Sequence, residues 1–441
     1  MTSTITPPSR LATLPTEILE DIALSLSQNS LSQCVCVSRS WNEAMTPHLW
    51  RTIPLFSKIR FKRFMMPDIQ RVLYKNAVHV HETKVFRPES ELTSSDDAFT
   101  IGPFTNLRVL ELYHLQTMRA CVFDEGIIET VRQNPGLRRL KIDIVMESTL
   151  LFSLVTEHVP NLQELDIETP WRGDVKALLD NLPEGLRTVR LNNVTHQVPR
   201  EAQVISIGPN WTHIELYKPY IGPLTAAAIV DNCERLEVLG ITGGGDNRVW
   251  RLSGSHFQAV LSKATRLRSL QARGLLGAER ISSVDILSSE WATTSLEHVD
   301  FKINVPRVAA DQEDADDDDS RALLASSRDI QRRVLRRFGQ QTHLRRLVIG
   351  GLAISPETGW FHHQLQCLEM TLESGLDELE GLKELSHLDI QRMDHRVGVP
   401  ELEWMVSNLP KLKQLLGMRD SWRPLREGVE EWLSSHQPTW L

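Results

Sequence analysis

Apolar residues fall on a six-residue phrase, L-x-x-L-x-L with apolar substitutes, that recurs along most of the chain. It begins at positions 107, 137, 162, 186, 211, 236, 267, 296, 344, 365, 385 and 412, the last copy being weak. Successive copies lie 20 to 31 residues apart, with one gap of 48. Alternation within the phrase reads as a short strand with its Leu positions inward. Between copies lie segments with apolar residues at helical spacing: FDEGIIETVRQNP, LLFSLVTEHVP, VKALLDNLP, LTAAAIVDNCE and ELEWMVSNLP. Pro135, Pro160, Pro183 and Pro410 close several of them, since proline cannot continue a helix. Each unit is therefore expected to be one strand and one helix. Neither buries its apolar face alone, so neighbours must stack. Residues 54–100 join this array to the opening of the chain, and NAVHVHETKVF (76–86) reads as a strand of an atypical capping unit.

Residues 14–53 follow another pattern. Pro15 suits a first helical turn, where no backbone donor is needed, and Glu17, Glu20 and Asp21 suit the positive end of the helix dipole. Ile18, Ile22 and Leu26 recur every four residues as one apolar stripe. SQNS (27–30) reads as a turn, and Leu31, Val35 and Val37 begin a second short apolar segment. Ser38 or a neighbour can cap a third helix carrying Trp41 and Met45, which Pro47 is expected to stop. Three helices in about 45 residues cannot bury all of this apolar surface among themselves. The excess packs either on the rest of the chain or on another protein.

The order L-P-x-E-I-L-x-x-I-x-x-x-L, then L-x-x-C-x-x-V-S-R-x-W, then P-x-L-W resembles an F-box, with Ser30 where that family often has an acidic residue. The resemblance implies docking onto the Skp-type adaptor, and through it a cullin, of the SCF ubiquitin ligases. It also implies that Leu14 and Pro15 enter the adaptor groove, while Ile18, Leu31, Val35 and Trp41 contribute to the interface or its supporting core. The recurring phrase resembles leucine-rich repeats, whose period is about 20–29 residues. It is a degenerate form. The family's Asn/Cys position holds Leu115, Val145, Pro170, Val194 and Pro219 in the first five copies, and Asn304 is the only Asn there. The internal ladder that Asn would supply is expected to be largely absent. The implied fold is α/β: a three-helix F-box (9–53), a linker and atypical capping repeat (54–100), and a curved solenoid (101–441). Short parallel strands would line its concave side and helices its convex side.

Charge modifies this picture at one place. The net charge is −8, but the segment DQEDADDDD (311–319) holds seven carboxylates, and without it 49 basic residues face 50 acidic ones. The remainder has no overall field for nucleic acid or anionic lipid, and neither is an expected partner. The acidic run coincides with the 48-residue gap, so it reads as an insertion at about 306–322 within one repeat. Beyond it, Leu323, Ile330, Val334 and Phe338 can form one face of a helix that also carries Arg328, Arg332, Arg333, Arg336 and Arg337. This is either a helix packed on the solenoid beside a solvated loop, or arginines tethered to the acidic run.

Candidate chemistry is sparse. The five cysteines include no C-x-x-C, and the sequence holds no H-E-x-x-H, G-x-S-x-G or Walker A motif. GITGGGDN (240–247) is glycine-rich but lacks Lys-Ser/Thr, so a phosphate site at Gly243–Gly245 is the weakest reading. No cofactor or metal is expected, and the chain reads as non-catalytic. No stretch approaches a membrane span, and MTSTITPPSR lacks an apolar core for a signal peptide, so a cytoplasmic or nuclear location is expected. The alternating strand positions expected on the concave side are Arg139, Lys141, Glu164, Asp166, Glu168, Arg190, His213, Glu215 and Tyr217. Read singly they are a solvated sheet face. As a patch of mixed charge with Tyr113 they suit capture of a protein target, its identity unknown. The function expected is a substrate receptor of an SCF-type ligase. The alternative is an interaction scaffold that uses its F-box outside a ligase.

Overall fold

The structure, a computed structural model, describes residues 14–55, 66–87, 104–114, 125–143, 154, 157–167, 182–192, 210–217, 223–242, 253–273, 280–305, 318–349, 367–391, 393, 395–418 and 425–436. These fall into two compact units, one within Met1–Gly173 and Asn181–Leu186, the other within Asp174–Asp180 and Arg187–Leu441. The division lies inside the segment read as one solenoid.

The first unit opens with α1 (Thr16–Ser25), α2 (Gln28–Cys34) and α3 (Arg39–Trp50). SQNS is more than a turn: the Ser27 hydroxyl accepts from the Ser30 amide and caps α2. Ser38 caps α3 in the same way through the Trp41 amide. Pro47 does not stop α3, which runs on to Trp50. One backbone donor is lost there, but Met45 is fully buried and Leu49 packs on the same core, which holds the last turn. The strand β1 (Thr52–Leu55) follows at once and straddles the boundary drawn at residue 53. Next come α4 (Pro67–Asn76), β2 (Glu82–Arg87), β3 (Val109–His114), α5 (Glu125–Arg132), β4 (Arg139–Asp143) and β5 (Glu164–Ile167). The strands β1 to β5 pair in chain order, all parallel.

The second unit carries β6 (Thr188–Asn192), β7 (His213–Tyr217), α6 (Pro223–Asp231), β8 (Val238–Thr242), α7 (Gly254–Lys263) and β9 (Ser269–Arg273). Then follow β10 (Arg280–Ser282), α8 (Ser283–Leu287), β11 (His298–Asn304), α9 (Asp318–Gly339) and β12 (Arg346–Val348). The unit ends with β13 (His387–Asp389), α10 (Val399–Asn408), β14 (Gln414–Leu416) and α11 (Val429–His436). The strands again pair parallel in chain order, except that β10 pairs only with β11. A succession of parallel strands, each returned by helix or loop, is the leucine-rich-repeat solenoid architecture. The inward positions form its spine: Leu110, Leu140, Leu165, Val189, Ile214, Leu239, Leu270, Val299, Leu347 and Leu388 have no exposed surface.

A backbone ladder joins successive repeats at the start of their strands. The residue two before each strand's first inward residue presents a carbonyl that accepts two amides from the next repeat. In the first unit the acceptors are Arg51, His81, Arg108 and Arg138, at 2.7–3.0 Å. In the second they are Arg187, Thr212, Glu237, Arg268, Glu297, Arg345 and Ser386, at 2.7–3.1 Å. Because the bonds are purely main-chain, they ask for no particular side chain at the acceptor positions; residues 115, 145, 170, 194 and 219, where the family's Asn would stand, lie outside the described residues.

The phrase at 365 does not build a strand among its described residues: β12 pairs directly with β13. Backbone groups at 369–372 find other partners instead. The Glu369 amide donates to the Gln331 side chain, the Thr371 amide to Ser374 Oγ, and the Leu372 amide to Glu401. The segment then enters a 3-10 turn, Leu376–Gly381, beside α9. The buried face of α9 is Ser327, Gln331, Val334, Leu335 and Phe338, while Leu323 is 59% exposed, so the expected stripe holds only at its C-terminal end. The arginines of α9 pair with this neighbouring segment: Arg328 with Glu373 at 2.6 Å, Arg332 with Asp377 at 3.2 Å, and Arg336 with Glu378 at 2.8 Å. Arg337 pairs with Glu290. This matches packing on the solenoid; residues 311–317 of the acidic run lie outside the described residues.

Gly375 is the hinge of that arrangement. Its φ is +101°, and an added Cβ would sit 2.6 Å from the Arg332 Cα. Gly375→Ala is therefore expected to destabilise the second unit by more than about 1 kcal/mol, read as a lower urea midpoint. An unchanged midpoint would contradict the packing described.

Candidate functional site

The three opening helices form a small core of Leu19, Ala23, Leu31 and Met45. Leu14, Ile22, Leu26, Val35, Trp41, Ala44 and Leu49 pack around it, partly buried. The buried residues of α1 are Leu19 and Ala23, with Ile22 and Leu26 partly buried beside them, so of the 18-22-26 spacing only Ile18 faces away from the core. Ile18 is thereby turned out, 46% exposed, beside exposed Pro15. Leu24 and Val37 are 61% and 67% exposed. Of the six residues expected at the adaptor, Pro15 and Ile18 are thus open, and Leu14, Val35 and Trp41 are half-buried. Leu31, 5% exposed, is support from within. The sequence placed Val37 in the second apolar segment without marking it as outward, and did not single out Leu24. Apolar residues off the inward stripe of a short helix were the available signal. The module is braced internally and to β1: the Asn42 amide group donates to the Val35 carbonyl at 2.9 Å, and Gln28 to the Thr52 carbonyl at 2.9 Å.

The outward strand positions of the first unit are cross-linked by charge. Glu111, only 3% exposed, receives Lys84 Nζ at 2.9 Å, the Tyr113 hydroxyl at 2.8 Å and Arg139 at 3.5 Å. Arg139 also reaches Glu164 at 3.6 Å, and Lys141 reaches Asp166 at 3.7 Å while lying 5.1 Å over the Tyr113 ring. Register causes this: Glu111 stands opposite Lys141, Arg139 opposite Glu164, and Lys141 opposite Asp166. Burial on its own would push the Glu111 carboxyl up. Hydrogen bonds from Lys84 and Tyr113 and the charges of Lys84 and Arg139 outweigh it and hold the carboxyl below its ordinary value.

In the second unit Arg190 pairs with Glu215 at 3.0 Å on adjacent strands. Gly240 is opposite Glu215 on the next strand, and a Cβ there would lie 3.2 Å from the Glu215 Cγ, so glycine gives that side chain room. His213 Nδ1 is 2.8 Å from the Thr212 hydroxyl. Tyr217 is in register with Asn192 and Thr242. Glu168 and Gly243–Gly245 lie outside the described residues. The structure thus brings Arg139, Lys141, Glu164 and Asp166 together around Glu111 in one unit, and Arg190 with Glu215 in the other.

Residues 11–55 match the family model described as F-box-like. The opening helices are an F-box-like domain. No curated protein matches the chain. Among solved structures, an internalin (inlF) from Listeria monocytogenes aligns over 91% of this chain and 93% of its own, at 14% identity and a TM-score of 0.40. The solenoid assignment accordingly stands on this chain's own strand order and register.

Two predictions separate structure from surface. In the F-box-like domain, Leu31→Ala removes core packing and is expected to cost about 2–5 kcal/mol, whereas Ile18→Glu should leave the urea midpoint within about 0.5 kcal/mol. Equal losses would contradict the assignment of inside and outside. At the sheet face, Glu111→Gln should lower stability near neutral pH. The Glu111 pKa is depressed on folding, so its contribution is present above the ordinary value of 4.5 and lost as pH falls through the folded value. The wild-type and Gln midpoints should therefore converge as pH falls below the ordinary carboxylate range; a gap that widens in acid would contradict the ion pairs.

Proposed function

We propose that this protein is the substrate-recognition subunit of an SCF-type E3 ubiquitin ligase. Its F-box-like domain docks the Skp-type adaptor, and through it a cullin, and its repeats hold a protein target. The observation carrying the reading is that Pro15, Ile18, Leu24 and Val37 stand exposed on a folded core that does not need them, with Pro15 and Ile18 together at the start of the first helix. Covering such side chains with a partner is worth roughly 1.5–3 kcal/mol each before association costs. Arg51 supports a positional mechanism. It caps α3, and its carbonyl accepts the first rung of the ladder from His81 and Glu82. The docking helices therefore pass into the first repeat without a free linker. A target held on that repeat keeps a set relation to the docked adaptor, which raises the effective concentration of its lysines at a separately bound conjugating enzyme. The chain supplies position and no catalytic group, in the cytoplasm or nucleus.

The test is capture of a Skp-type adaptor by the full chain carrying Pro15→Ala/Ile18→Glu. Binding is expected to weaken at least tenfold, about 1.4 kcal/mol, with the urea midpoint unchanged. Undiminished capture would overturn the docking face. Ubiquitylation of the captured target that does not depend on this chain would favour a scaffold outside a ligase.

A further inference from the structure

The rung residues of the first unit carry a second message. Arg51, His81, Arg108 and Arg138 supply the successive acceptor carbonyls, so their side chains stand one per rung in single file. Parallel strands are about 4.8 Å apart, which makes the file about 14 Å long. Arg51, Arg108 and Arg138 are exposed and His81 is half-buried. Among the described residues none of these three arginines makes an ion pair. The corresponding file of the second unit is different: Arg187, Thr212, Glu237, Arg268, Glu297, Arg345 and Ser386 mix both signs with neutral residues, and Glu297 pairs with Arg268 and lies 4.0 Å from Arg345. The positive field of the first file is felt within it. The His81 pKa is lowered by burial and then by Arg108 and Arg51, against the opposing charge of Glu82.

We propose that this file binds an extended, carboxylate-rich segment of the protein target. This deepens the reading of the repeats as the target-holding surface and rests on it. Guanidinium groups present forked donors that match carboxylates, and exposed arginines with no ion pair among the described residues are placed to receive them. A file of about 14 Å accommodates four to five residues of extended chain. Nucleic acid fits worse. Glu82 and Glu164 stand in the strand positions next to the file and would repel a phosphate backbone.

The probe is a fluorescein-labelled peptide of eight glutamates, titrated with the full-length chain and read by anisotropy at low salt. Saturable binding is expected, weakened at least tenfold by Arg108→Glu/Arg138→Glu and falling with added salt. No binding to the wild-type chain would overturn the proposal, as would equal binding to the double variant with an unchanged urea midpoint. Tighter binding of an eight-nucleotide thymidine oligomer would also overturn it, in favour of nucleic acid. The Pro15→Ala/Ile18→Glu chain should bind the peptide as wild type does, and the Arg double variant should capture the adaptor as wild type does. The two measurements therefore fail separately.

Discussion

Each repeat hands the next one carbonyl and receives two amides for it. This small device recurs at every strand pair described in the two units except β10–β11, and it fixes their register. Register decides which residues point in, because a one-residue slip would turn every leucine outward. With it in place, Leu110, Leu140 and Leu165 in one unit and Ile214, Leu239 and Leu270 in the other align as continuous spines. The outward residues are then necessarily aligned as well, which is why Glu111 meets Lys84 and Arg139 and why Arg190 meets Glu215. Packing and surface chemistry are two consequences of one hydrogen-bond pattern.

That pattern begins inside the docking module. Arg51 closes α3 and opens the ladder, and Thr52 starts the first strand. The three-helix core needs only Leu19, Ala23, Leu31 and Met45, with half-buried neighbours, to hold its shape. Ile18, Leu24 and Val37 are left to water in the isolated chain. The basic file begins one residue before the first strand, so docking and capture would be indexed to the same rung.

Much of this was legible in the sequence. Most copies of the recurring phrase lie at strands, because alternation over a buried Leu position is a strong signal in a stacked array. The copy at 365 failed: hydrophobicity alone does not say that Gln331, Ser374 and Glu401 will satisfy its backbone from elsewhere. Helix rotation was also illegible. Ile18, Leu19, Ile22, Ala23 and Leu26 are all apolar, and only packing with Leu31 and Met45 buries Leu19 and Ala23, sets Ile22 and Leu26 at the margin and leaves Ile18 outside. Pro47 misled because local breaking power was weighed without the tertiary burial that overrides it. The rung residues were passed over altogether: their role is main-chain, so no residue type marks it.

The central claim is that a partner covers the open helical face while the ladder beneath stays as it is. Hydrogen exchange of the full chain, with and without a saturating Skp-type adaptor, tests it directly. Amides of residues 14–38 should gain protection, and those of the strands from β3 onward should be unchanged. Protection gained only in the repeats, or none in 14–38 despite binding, would contradict the account.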